Sequence, residues 1–209
     1  MKAPGVPVRI MAAACLLALG LVGLVVREGV ARAQGREVWL EIAGYDPRSL
    51  LSGHYVQFQL RSEQPSGTPC PPGSNDFASA RQWVALRRVG DRHVPSGAAA
   101  SREEAARLGD VAARGRLACD GPEAPGGDRP AVVPTPVPPR EPTETVITAE
   151  LGVDRAHFDQ RQAEALEQIL RAGAGTPPPA FAVVSVGRDG KARLKGLVIG
   201  GQRMDLSWF

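Results

Sequence analysis

Asp46-Pro47-Arg48-Ser49-Leu50-Leu51-Ser52-Gly53-His54-Tyr55-Val56-Gln57-Phe58-Gln59-Leu60 leads from a turn-like dipeptide through a short apolar pair into an alternating strand. Tyr55, Gln57 and Gln59 fall on one side of that strand and Val56, Phe58 and Leu60 on the other, the period-two pattern of a sheet with one buried face. The sequence around it predicts more strands. Val38–Ile42 reads as one before the Asp46–Ser52 turn, and Gln82–Val89 as another, closed by Gly90-Asp91 and followed by a short returning strand. Between them, Gln64–Asp76 holds four prolines and two glycines and reads as a loop.

Further on, Ser101-Arg102-Glu103-Glu104 has the capping-box pattern and predicts a short helix to about Leu108, ended by Gly109. Val111–Cys119 and Thr145–Val153 are strand-like. Asp159 and Gln162 open a helix with Ala163, Leu166, Ile169 and Leu170 on one face, ended by Gly173. The strongest β signal comes last, with Phe181–Val186, Ala192–Ile199 and Gln202–Leu206 joined by turns at Gly187–Gly190 and Gly200-Gly201. The expected fold is mainly β (α+β), a single antiparallel-sheet or barrel-like domain with one or two short helices behind one N-terminal transmembrane helix. Gly121–Pro142 packs eight prolines into 22 residues and reads as a solvated insertion within that domain.

Ile10–Val26 is an uncharged run of 17 residues, preceded by Lys2 and Arg9 and followed by Arg27 and Glu28. It lies at the short end of what spans a bilayer. Ala31-Arg32-Ala33 has the small-x-small form that a signal peptidase accepts, so a cleaved signal peptide is the competing reading. The length of the run and the charges crowding the cleavage region favour an uncleaved signal anchor. The expected layout is a cytoplasmic tail over 1–9, a membrane helix over 10–26, a juxtamembrane linker over 27–37 and an extracytoplasmic domain over 38–209. Lys2 and Arg9 compete with Arg27, Arg32 and Arg36 on the other flank, so charge alone does not set the orientation; a short basic tail and no second span make the expectation a single-pass protein of the cytoplasmic (inner) membrane with a periplasmic C-terminal domain.

Charge excludes one class of partner. The chain carries 25 Lys and Arg against 22 Asp and Glu. The first 33 residues hold Lys2, Arg9, Arg27, Arg32 and Glu28, so the exported part is neutral, without the footprint of a nucleic-acid binder. Cys15 lies in the apolar run. Cys70 and Cys119 are the pair left outside it, compatible with one disulfide in an oxidising compartment or with two separate thiols.

Residues 46–60, with Asp189–Ile199, resemble the bacterial GDYXXLXY family, named for a Gly-Asp-Tyr-x-x-Leu-x-Tyr signature. The motif positions are Asp46, Pro47, Leu50, Gly53, His54, Tyr55, Val56, Phe58 and Leu60. Gly53 and Tyr55 keep the signature, Phe58 and Leu60 replace its Leu and Tyr, and His54 stands where the family has Asp. If that carboxylate serves turn chemistry, its usual role before a strand, His54 is a surface substitution; if it is a ligand or base, this chain has lost the role. The resemblance implies a membrane-associated accessory protein of the envelope, beside a multi-span membrane partner.

No strong catalytic motif is present, and no cofactor is expected. His54, His93 and His157 share no metal-ligand spacing. Trp39, Trp83 and Trp208 read as core or edge packing. Pro47-x-x-Leu50-x-x-Gly53-x-Tyr55-Val56 is faintly similar to the segment after the nucleophile of membrane-anchored signal peptidases, but Gly44-Tyr45 stands where the nucleophile pair would be. Ser49 or Ser52 with Lys191 or Lys195 would be the dyad of a divergent hydrolase, the alternative to a binding protein. The partners expected are membrane lipid, through the N-terminal helix, and an integral membrane protein.

Overall fold

A computed structural model describes residues 6–43, 55–75, 82–121, 144–157 and 178–206. The first element, α1 (Val6–Gln34), is about 43 Å long at 1.5 Å per residue. Among the described residues it is the one helix long and apolar enough to cross a membrane. Its apolar side chains, from Ile10 to Val26, are exposed along the whole run, so the rest of the protein does not cover them. The segment 27–37, expected as a linker, is helical to Gln34, and strand begins at Arg36 after Gly35 alone. Polar residues in 27–34 resemble a linker in sequence; contacts with the domain, described below, keep them helical.

The strands follow as β1 (Arg36–Ala43), β2 (Tyr55–Gln57), β3 (Gln59–Gln64), β4 (Gln82–Val89), β5 (Arg92–Ala99), β6 (Val111–Asp120), β7 (Thr145–Glu150), β8 (Arg155–His157), β9 (Ala180–Val186), β10 (Ala192–Ile199) and β11 (Gln202–Asp205), with α2 (Arg102–Leu108) between β5 and β6. β1, β3, β7, β6, β4 and β5 close into a six-stranded barrel, and β9, β10 and β11 extend the same sheet from β1. β1 is the seam. Arg36–Glu41 pair antiparallel with β9, Ile42 and Ala43 with β3, and Leu40 bridges His93 of β5 in parallel. Every other residue of β1 points inward, burying Val38, Leu40 and Ile42. Phe58, Leu86, Leu117, Leu197 and Ile199 fill the core, each burial stabilising by about 1.5–3 kcal/mol.

His93 is buried at the seam, where its Nδ1 accepts from the Trp39 N–H at 3.4 Å. Burial, then the nearby charges of Arg36 and Arg88, hold its pKa below the ordinary histidine value.

Two strands differ from their sequence reading. The expected single strand from Tyr55 is broken at Phe58: β2 pairs with β8 in a separate two-stranded sheet, and β3 enters the barrel. At the break the Phe58 N–H donates to the Asp154 carbonyl at 2.9 Å. β5 is eight residues long, not short, despite Pro95 and Gly97. Its ladder with β4 slips at Ser96, a bulge that accommodates the proline. The freed Ser96 hydroxyl donates to the Leu108 carbonyl at 2.8 Å and so holds the end of α2. At the other end the Glu104 N–H donates to the Ser101 hydroxyl at 3.2 Å, one half of the capping box.

The Pro- and Gly-rich loop after β3 is pinned to β6 and β7. Cys70 and Cys119 form a disulfide with Cα atoms 5.8 Å apart. Asn75, at φ 62°, brackets the same strand residue: its amide donates to the Cys119 carbonyl at 2.7 Å and accepts from the Cys119 N–H at 2.9 Å. The expected insertion 121–142, apart from Gly121, and the helix expected from Asp159 lie outside the described residues.

Candidate functional site

Among the motif positions, Asp46, Pro47, Leu50, Gly53 and His54 lie outside the described residues. Tyr55 and Val56 open β2, opposite His157 and Ala156 of β8. Phe58 and Leu60, 1% and 5% exposed, belong to the hydrophobic core. Beside it runs a groove of about 370 Å³ between Phe58–Leu60 and Thr148–Asp154. Its rim at Glu150, Leu151 and Gly152 is shared with a larger cleft.

That cleft, about 650 Å³, lies on the outer wall of the barrel, where β4, β6 and β7 run side by side. Trp83 pairs with Arg114 and Arg116 with Glu150. Arg114 and Arg116 are two residues apart on β6, so both project from the same face, and both are exposed. Guanidinium carbons of Arg114 and Arg102 lie 5.2 and 5.8 Å from the Trp83 ring centre, cation–π contacts worth about 0.5–1 kcal/mol each at an exposed site. The β9–β10 turn supports this arrangement. Gly190 accepts from the Arg114 N–H at 2.8 Å, and Arg188 accepts from the Arg102 guanidinium at 2.7 Å through its carbonyl. Gly190 has φ +75°, and a Cβ there would come within 2.2 Å of the Trp83 ring. Only glycine fits both the turn and the indole.

The same turn reaches α1 from its other side. Arg193 is 9% exposed, its guanidinium held between Glu28 of α1 and Asp189 of the turn. One helical turn later, Arg32 donates to the carbonyls of Leu194, Lys195 and Leu206 at 2.7–3.0 Å. Leu194 and Lys195 lie where the β9–β10 ladder skips Lys195, a bulge that takes backbone groups out of regular pairing, and the Leu206 N–H donates to the Lys195 carbonyl at 2.8 Å. Glu37, at the start of β1, accepts from Lys195 at 2.8 Å, from Arg203 at 3.1 Å and from the Trp39 indole at 3.1 Å. Its hydrogen bond from Lys195, foremost, holds its carboxyl at about 2, and the Arg193 guanidinium likewise holds Asp189 at about 2. The two carboxylates raise the pKa of Arg193 in turn, Asp189 more than Glu28.

The sequence pattern of the GDYXXLXY protein family matches residues 17–197. The chain belongs to the GDYXXLXY family. No curated protein and no solved structure matches it. The family match begins inside α1 at Leu17, so it takes in the part of the helix that carries Glu28 and Arg32 as well as the barrel.

Within this GDYXXLXY protein, sequence reasoning passed over the most connected polar residues. Glu28 and Arg32 fell in the expected juxtamembrane linker, and Arg193 was not singled out. Lys195, weighed as a catalytic base, is ion-paired with Glu37, and Lys191 is exposed. Their proposed partners Ser49 and Ser52 lie outside the described residues. In Ala192-Arg193-Leu194, strand alternation alone predicts a solvated arginine, so nothing local marked its burial.

Proposed function

We propose that this GDYXXLXY protein is a membrane-tethered accessory protein of the bacterial envelope that acts by binding, its barrel held on the extracytoplasmic face of the cytoplasmic membrane beside an integral membrane partner. The observation that carries this reading is the latch between α1 and the β9–β11 sheet. A cleaved signal peptide has no structural role in the mature domain. Here, removing residues up to Ala33 would leave Arg193 without Glu28 and the carbonyls of Leu194, Lys195 and Leu206 without Arg32. The Ala31-Arg32-Ala33 segment is itself helical, whereas a signal peptidase takes its substrate extended. The single residue between α1 and β1 makes the tether short and stiff. A disulfide supports an oxidising compartment, and the short basic tail supports the orientation. The association of the family with multi-span membrane proteins supports the partner.

The full chain should stay with membranes through high-salt and carbonate washes. A soluble species beginning at Gln34 would overturn the tether. A reporter fused after Phe209 that is active only outside the cytoplasm should be active; activity of a cytoplasmic reporter instead would reverse the orientation.

A further inference from the structure

The latch also fixes which face of the barrel meets the bilayer. From Glu28 to Arg32, α1 advances about 6 Å, and from Arg193 to Lys195, β10 advances about the same distance. Glu28 contacts Arg193, and Arg32 contacts Leu194 and Lys195, so β10 runs alongside α1 in the same direction. The turn that precedes β10, Gly187–Lys191, must therefore point back towards the apolar run that ends at Val26. This turn carries the exposed Arg188 and Lys191, accepts from the Arg102 guanidinium and the Arg114 backbone N–H through the carbonyls of Arg188 and Gly190, and lays Gly190 against the Trp83 ring. Arg27, on α1 at the end of the apolar run, is exposed at the same level.

From this we infer, resting on the membrane-tether reading, that Trp83 with Arg102 and Arg114 forms a binding site for the phosphate of an anionic phospholipid headgroup. The chemistry fits that ligand. An indole is at home at the interface, where its apolar ring and N–H meet both phases. Stacking on it engages the faces of the guanidiniums, while their N–H donors lie in the edges, the geometry that binds phosphate. Acidic groups nearby do not cancel this charge: Glu28 and Asp189 are committed to Arg193 and Glu150 lies opposite Arg116, leaving Glu103 and Glu104 of α2 against Arg27, Arg102, Arg114, Arg188 and Lys191.

The test uses the full chain in lipid nanodiscs, with lipids brominated near the glycerol end of their acyl chains as quenchers of tryptophan fluorescence. The Trp83 contribution is taken as the difference from Trp83→Phe. Brominated phosphatidylglycerol should quench it more than brominated phosphatidylcholine, and Arg114→Gln or Arg102→Gln should lower that preference by about fivefold, the effect of one arginine near an anionic surface. Inorganic phosphate at matched ionic strength should not restore the emission. Three results would overturn the site: no Trp83-dependent quenching in a chain that still resists carbonate, an unchanged lipid preference in both arginine variants with an intact far-UV spectrum, or displacement of the lipid by inorganic phosphate. Release of the chain by carbonate would instead remove the tether reading, and this inference with it.

Discussion

The two flanks of the barrel are held by opposite chemistry. On the anchor side, β10 and β11 are fastened to α1 and β1 by charged hydrogen bonds through Arg32, Arg193 and Glu37. On the loop side, the Pro- and Gly-rich segment after β3 is fastened to β6 by a disulfide and by the neutral amide of Asn75. A covalent link acts chiefly by restricting the unfolded chain and is indifferent to ionic strength. A charged latch acts in the folded state and depends on protonation and screening. The flank that carries the apolar helix is thus the one that solution conditions can adjust.

The largest expected effect is on the loop side. Cys70→Ala with Cys119→Ala opens a closed loop with a sequence separation of 49. It should lower stability by about 4 kcal/mol, read from the denaturant midpoint, and this loss should not change with salt. A loss under about 1 kcal/mol would mean that the prolines and Asn75 alone order the loop.

Arg193→Met comes next. It removes a nearly buried guanidinium and leaves Glu28 and Asp189 without their shared partner, both of which remain partly solvated. A loss of about 1–3 kcal/mol is expected, smaller at high salt. Equal losses at low and high salt would make Arg193 a packing residue and erase the contrast between the flanks. Asn75→Ala should cost about 1–2 kcal/mol, since it removes two hydrogen bonds to Cys119 and places a methyl side chain at positive φ. Asn75→Gly, which tolerates that φ, should cost less than Asn75→Ala, and the reverse order would show that the backbone conformation is not what Asn75 supplies.

The smallest effect expected is in acid. Glu37 and Asp189 have folded-state values near 2, below their ordinary 4.5 and 3.8. Their contribution is complete above the ordinary values and is lost as pH falls from about 4.5 towards about 2. Both are partly exposed, so the loss should be about 1 kcal/mol at most. Glu37→Gln should flatten that part of the pH profile, and an unchanged profile would place the acid sensitivity elsewhere.

Much of the nine-stranded sheet was legible where local pattern and turn chemistry agree. Gln82–Val89 and Ala192–Ile199 are strands over the residues expected, because each is an apolar-rich run stopped by a turn, at Gly90-Asp91 and Gly200-Gly201. α2 begins after Ser101 and ends before Gly109, as its cap and breaker imply. The candidate cleft was not legible: Trp83 read as packing, and nothing in the spacing of Arg102, Arg114 and Gly190 indicates that they converge. Gly190 looked like an ordinary turn glycine, and its contact with the indole follows from how β9–β10 lies across β4 and β6.

By itself the sequence determined an apolar helix ahead of a mainly β domain, the positions of its tight turns and the identity of its family, because these depend on short-range periodicity and backbone preference. Tertiary structure alone decided that the strands close into a barrel through the single bridge from Leu40 to His93 and that the chain breaks at Phe58 to form a second sheet. It also decided that helix continues from Arg27 to Gln34, that its Arg32 donates to carbonyls of β10 and that Arg193 pairs with its Glu28. Each of these outcomes pairs groups far apart in the chain, and a polar side chain carries no local mark of the distant partner that will satisfy it.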